Sequence, residues 1–293
     1  MATRTSIALI GPGAIGATIA CWLAQSPALE VTLCVRTPFE RLVVETPDGK
    51  IEADPIILTD PARARPVDWA LVCTKTYDAP AAALWLDKLV GPATRVAVLQ
   101  NGVEHVARFS PYVPVERILP AMVDIPAERR APGRVWQRRE GVIVVPEGAD
   151  GADFVALFAH TALKVSTHNE FNSVLWRKLC VNCAGAVNGI ALQPHRIARD
   201  PDIADYMRGL IAECVAVGRA EGAVLDDDTA RRVVEGYQAS PGDSVNSLLA
   251  DRLAGGRSEY DARNGVIVRL GEKHGIPTPL NRLAVAFLRA AEQ

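Results

Sequence analysis

The chain has 293 residues, 49% of them hydrophobic and 23% charged, with a formal net charge of −2. That length allows one large or two modest domains with a sizeable core. The near-neutral balance excludes the basic face of a nucleic-acid-binding protein, and no uninterrupted run of 18 apolar residues is present to cross a membrane.

Arg4 precedes an apolar stretch over 7–24 that has the look of a secretory leader. Gly11, Pro12, Gly13 and Gly16 interrupt it at once, however, and a nucleotide fingerprint accounts for them better. Residues 6–10 read as a buried strand, 14–25 as a helix and 31–35 as a second strand. Segment 41–57 carries Pro47-Asp48-Gly49 between alternating residues and reads as a hairpin. Apolar runs at 69–74 and 96–99 flank a helical pattern over 79–89. Strand, helix and strand at this spacing predict a parallel sheet wrapped by helices. Segment 133–145 predicts two antiparallel strands closing that sheet.

From about residue 171 the strand runs vanish. Helical patterns over 172–183, 202–221, 227–239, 259–274 and 281–291 take over, broken at Gly222, Gly275-Ile276-Pro277 and Pro279. The expected fold class is α/β: an N-terminal Rossmann-type parallel-sheet domain over 1–169, then an all-helical C-terminal domain over 170–293. The six cysteines (Cys21, Cys34, Cys73, Cys180, Cys183 and Cys214) lie in apolar segments. Cys180 and Cys183 form a C-x-x-C pair with no second pair, so buried thiols are the better reading than a metal or redox site. The pattern fits a reducing cytoplasm.

Gly11-Pro12-Gly13-Ala14-Ile15-Gly16 fits G-x-G-x-x-G, with a strand running in and a helix starting within it. Gly11 permits the turn, Gly13 lets a pyrophosphate approach the backbone, and Gly16 lets the helix lie close to the strand. The helix N-terminus offers N–H groups and partial positive charge to phosphates. The second strand ends in Arg36 and Thr37, with no acid until Glu40. A guanidinium suits a ribose 2′-phosphate, which a carboxylate would repel, so the expected cofactor is NADP.

Two polar residues stand at further strand ends: Lys75, which can meet phosphate, ribose or a substrate anion, and Asn101, whose amide can orient cofactor or substrate. On the helix over 172–183, Lys178 and Asn182 lie four apart and share a face. Asn182 sits between apolar neighbours and needs partners or a cavity. Reduction of a ketone needs a proton donor at the carbonyl oxygen, and an ammonium on that face can serve as acid and electrostatic stabiliser.

With these residues assembled, the chain resembles the ketopantoate reductases (2-dehydropantoate 2-reductases) over nearly its whole length. The resemblance rests on Gly11–Gly16, Arg36, Lys75 in VCTKTYD, Gln100-Asn101-Gly102, and Leu175-Trp176-Arg177-Lys178-Leu179 leading to Asn182. It continues with Ser247-Leu248 upstream of Glu259-Tyr260-Asp261 and Asn264-Gly265. It implies NADPH-dependent reduction of a 2-keto acid, 2-dehydropantoate, to pantoate on the way to pantothenate, with the active site in a cleft. Carried over by position, Lys178 would donate the proton and Glu259 would assist it. Asn101 and Asn182 would hold the lysine or the substrate's polar groups, Ser247 would bind the carboxylate, and Lys75 would lie beside the cofactor.

The chain departs from the family at Ala186, where a second asparagine is usual, with Asn188 two residues on; at Ser244; and over 121–127 (AMVDIPA), which carries Asp124. These departures bear on substrate specificity. Two alternatives therefore stand beside the first reading: a paralogue acting on another 2-keto or hydroxy acid, and a non-catalytic NADP-binding sensor, against which the joint presence of Lys178 and Glu259 speaks. A homodimer built on the helical domain is compatible with all three. No metal site is expected.

Overall fold

A computed structural model describes residues 4–292. The chain begins with β1 (Thr5–Ile10), α1 (Ala14–Leu23), β2 (Leu29–Cys34), β3 (Leu42–Thr46), β4 (Gly49–Ala53) and β5 (Ile56–Leu58). Then come β6 (Trp69–Val72), α2 (Ala79–Leu89), β7 (Arg95–Val98), α3 (His105–Phe109) and β8 (Ile118–Pro120). Strands β5-β2-β1-β6-β7-β8, in that order, form one all-parallel sheet. This is the Rossmann order, whose reversal between β1 and β6 leaves a crevice beyond the carboxyl ends of those strands.

The side chains of these strands alternate between two cores. Ile7, Leu9, Leu33, Leu71 and Ala97 pack with α1, while Ala8, Ile10, Cys34, Ala70, Val72, Val96 and Val98 pack with α2 and Phe109 of α3. A strand buried on both faces has no polar phase, which is why these segments read as continuous apolar runs.

The next elements are β9 (Met122–Asp124), β10 (Ala127–Ala131), β11 (Arg134–Gln137), β12 (Val142–Pro146), α4 (Ala149–Leu157) and β13 (Lys164–His168). The predicted hairpin over 41–57 is β3–β4, antiparallel, within a separate sheet of order β10-β11-β3-β4. The expectation for 133–145 fails. β11 pairs with β10 and β3, β12 pairs with β9 and β13 in a third sheet, and neither joins the six-stranded sheet. The Pro132-Gly133 turn, with Gly133 at φ +71, folds β11 back on the strand before it, so the hairpin lies one strand earlier than expected. Covered by this second sheet, α1 is apolar nearly all round, and Trp22 donates to Gln137 Oε1 at 2.9 Å.

The helical half comprises α5 (Phe171–Ala184), α6 (Ala186–Ala191), α7 (Pro201–Ala220), α8 (Thr229–Ala239), α9 (Ser247–Leu253), α10 (Val266–His274) and α11 (Pro279–Ala290). Short α6 and α9 escape a search for 3.6-residue periodicity, which needs a longer window. The helix expected over 259–274 opens instead with a π-helical turn, Asp261–Gly265, a wider coil that often marks functional sites. A buried amide network holds this turn. Asn264 donates to Cys183 O (3.1 Å) and Asn281 Oδ1 (2.9 Å), and Asn281 donates to Leu210 O (3.1 Å) and Glu213 Oε2 (2.7 Å). Glu213 also accepts from the first N–H groups of α11, where a carboxylate complements the helix dipole.

The chain divides into two compact units. One holds the residues up to Gln100 with His105–Phe171; the other holds Asn101–Glu104 and the residues from Asn172 on. Among the described residues no helix is long and apolar enough to cross a membrane.

Candidate active site

In the sheet unit the loop after β1 separates the three glycine roles. Gly11 has φ +81, and a Cβ there would lie 2.6 Å from the Thr74 side chain. At Gly16 a Cβ would meet Gly11 O at 2.8 Å and Cys73 Cβ and Leu9 Cδ2 at 2.9 Å, so only glycine lets α1 sit this close to the sheet. Gly13 has nothing within 4 Å of such a Cβ. Packing therefore does not require glycine at 13, and the open space on that side suits close approach of a diphosphate. Gly13 caps α1 without a side-chain hydrogen bond, and no acid lies in the first turn to compete for its N–H groups. Pro12, Ala14 and Ile15 complete the loop. These observations fit a dinucleotide.

Arg36 lies two residues beyond β2, with its side chain 88% exposed and its nearest acid, Asp78, at 3.9 Å. A pair at that distance and exposure holds the guanidinium weakly. Lys75 lies beyond β6 and opens the short turn Thr76–Asp78. Gln100, beyond β7, donates to Thr74 O and Thr74 Oγ1 (both 3.0 Å) and Lys75 O (3.3 Å), so it ties the end of β7 to the loop after β6, the strand next to β1. Its own carbonyl accepts from His105 Nε2 at 2.8 Å. His105 is buried, and desolvation holds its pKa down to about 4.

In the helical unit, α5 carries half-buried Lys178 and Asn182 one turn apart. Asn101 links two elements. Its amide donates to Glu259 Oε2 at 2.9 Å, and its carbonyl accepts from Asn182 Nδ2 at a longer 3.4 Å. Glu259, 4% exposed, stands just before the π-helical turn. Asn101, Asn182 and Glu259 are thus brought together. Ser247, exposed at the start of α9, accepts from Arg263 Nη2 at 2.6 Å.

Sequence reasoning missed three of these groups. Arg263 is 2% exposed, between Ala262 and Asn264 and one turn after Glu259, in a segment whose polar letters gave no sign of burial. Asn246 caps α9 by accepting from Leu249 N (2.9 Å) and donates to Gly185 O and Asn188 Oδ1; an Asn before an apolar run is a legible cap signal. Tyr237 donates to Val181 O at 3.0 Å. Gly185 is pinned between these two, since a Cβ there would lie 2.7 Å from Asn246 Nδ2 and 2.8 Å from the Tyr237 hydroxyl.

The departures have structural fates. Ala186 is fully buried. Asn188 is fully buried and occupied by Gln193 O and Asn246, so it does not replace an amide at 186. Asp124 pairs with Arg139 at 3.0 Å. Cys180 and Cys214 stand 3.6 Å apart as free thiols, and burial pushes the Cys183 and Cys214 thiols up.

Family models described as "Ketopantoate reductase PanE/ApbA" and "Ketopantoate reductase PanE/ApbA C terminal" match residues 7–150 and 170–292. A 2-dehydropantoate 2-reductase of Caulobacter vibrioides is 59% identical over 287 residues, 98% of this chain and 99% of its own. The structure of a PanE/ApbA family ketopantoate reductase from Ralstonia eutropha JMP134 superposes with a TM-score of 0.90 at 33% identity, covering 98% of each chain. A dimeric ketopantoate reductase from Staphylococcus aureus does so at 0.86 and 25% identity, over 98% of this chain and 99% of its own.

Proposed function

The chain belongs to the ketopantoate reductase PanE/ApbA family, and on that footing we propose that it reduces 2-dehydropantoate to pantoate with NADPH, Lys178 acting as the acid. One observation carries the chemical part of the reading: the Asn101 amide holds the buried Glu259 carboxylate and is itself held by Asn182, on the same face of α5 as Lys178. A carboxylate beside an ammonium is what an enzyme needs to orient a proton donor and receive a new hydroxyl.

NADPH, when bound, supplies the hydride that reaches the carbonyl carbon. The Gly11–Gly16 loop would receive its diphosphate on backbone N–H groups, Arg36 would meet its 2′-phosphate, and Lys75 would serve the same nucleotide. The Lys178 ammonium gives its proton to the ketone oxygen as charge develops there, Glu259 orients the lysine and accepts from the forming hydroxyl, Asn101 and Asn182 hold the polar groups, and Ser247 takes the carboxylate. Residues 1–169 thus serve the cofactor and 170–293 the substrate, with Asn101 lent to the second set. Six free cysteines suit the reducing cytoplasm. A homodimer is the expected assembly, as described for the Staphylococcus aureus relative.

Steady-state oxidation of NADPH with 2-dehydropantoate against a panel of other 2-keto acids tests the substrate. Turnover of 2-dehydropantoate well above the panel is expected, and preference for another acid would give the chain to the paralogue reading. For the mechanism, Lys178→Ala should lower kcat by roughly 10²–10⁴-fold while the NADPH dissociation constant, read by fluorescence titration, stays put. Equal loss of both would remove Lys178 as the acid.

A further inference from the structure

Arg263 is almost wholly buried at 2% exposure, its Nε has no hydrogen-bond partner, and no carboxylate among the described residues forms an ion pair with it. A buried cation without a counter-ion is costly and calls for an anion from elsewhere. Its side-chain partner among the described residues is Ser247, whose Oγ accepts from Arg263 Nη2 at 2.6 Å. A guanidinium has no acceptor. This contact therefore occupies a lone pair of the hydroxyl and leaves its proton to be donated elsewhere. Ser247 is exposed while Arg263 is not, so a ligand meets the serine first with the positive charge directly behind it. The rigid π-helical turn Asp261–Gly265, anchored through Asn264 to Cys183 O and Asn281, fixes the guanidinium there.

We infer that Arg263 is a positioning and specificity residue for the substrate's carboxylate. It orients the Ser247 hydroxyl as an obligate donor and supplies the charge that makes a carboxylate, rather than a neutral group, the preferred occupant. A carboxylate oxygen accepting from Ser247 lies roughly 4–5 Å from the guanidinium, within range of strong attraction in a partly buried site. Donation from Arg263 also polarises the hydroxyl and strengthens its own hydrogen bond. The inference rests on the carboxylate role proposed for Ser247.

Arg263→Gln should raise KM for 2-dehydropantoate roughly 10- to 100-fold, leave kcat within about threefold and leave NADPH binding unchanged. Arg263→Lys should recover most of the loss. Because part of Arg263's effect runs through the Ser247 hydroxyl, Arg263→Gln combined with Ser247→Ala should lose clearly less than the product of the two single losses. An unchanged KM in Arg263→Gln, no recovery by lysine, or losses that multiply would overturn the inference. A Ser247→Ala enzyme with its KM intact would instead overturn the role given to Ser247. Should Arg263→Gln not fold, the parent enzyme decides. As competitive inhibitors, 3-methyl-2-oxobutanoate must bind at least about tenfold more tightly than its uncharged methyl ester, and equal binding overturns the charge argument.

Discussion

At Arg36 one side chain is assigned the choice between two cofactors that differ by a single phosphate. Its weak tie to Asp78 leaves the guanidinium free to take a bidentate partner at little cost. Arg36→Asp should weaken NADPH by roughly 10- to 100-fold and leave NADH nearly unchanged, as read by titration of each reduced nucleotide. Absence of any preference in the parent enzyme would remove Arg36 from the phosphate. Arg36 was conspicuous in the sequence because it ends an apolar run at a predictable place. Arg263 was not, because nothing in a one-dimensional pattern separates a buried arginine from a solvated one until the coil around it is known to be π-helical.

Among elements, the turn between β1 and α1 gives a sharp contrast. Its glycines look alike as letters, yet one is required by turn geometry, one by packing, and one by neither. Gly13→Ala should leave the melting temperature unchanged within a degree or two, because no atom lies near the new methyl, while weakening NADPH by about tenfold or more through obstruction of the diphosphate. Gly16→Ala should lower both, costing roughly 1–3 kcal/mol of stability as α1 is pushed off β1. Thermal melts and nucleotide titrations of the two variants check this, and a destabilised Gly13→Ala protein would contradict the ligand-facing role. The parallel strands and long helices could be read from apolar runs and periodicity alone. The second and third sheets could not, because pairing between short strands is decided by which partner edge is free, and β11 shows that a correct turn signal still leaves its strand's neighbours open.

For the protein as a whole, stability in mild acid should depend on His105. The ring is buried against the end of β7, and its pKa falls from 6.5 to about 4. An unfolded chain takes up the proton first as pH falls. The folded state therefore has its full advantage above about pH 6.5 and loses it progressively as pH drops toward 4, a change of about 3 kcal/mol. Urea midpoints at pH 7 and pH 4.5 should differ more in the parent than in His105→Asn, which retains a donor for the Gln100 carbonyl without a titrating ring. Equal differences would show that other groups set the acid limit.

The excursion of residues 101–104 into the helical unit has a practical corollary for anyone recombining relatives. A fragment begun at 172 would inherit Glu259 but not Asn101, and its inward-facing carboxylate would lose the amide that caps one oxygen. Chimeras intended to exchange substrate preference must transplant that four-residue graft along with the helices, or they will report the loss of the Asn101–Glu259 hydrogen bond as a change of taste.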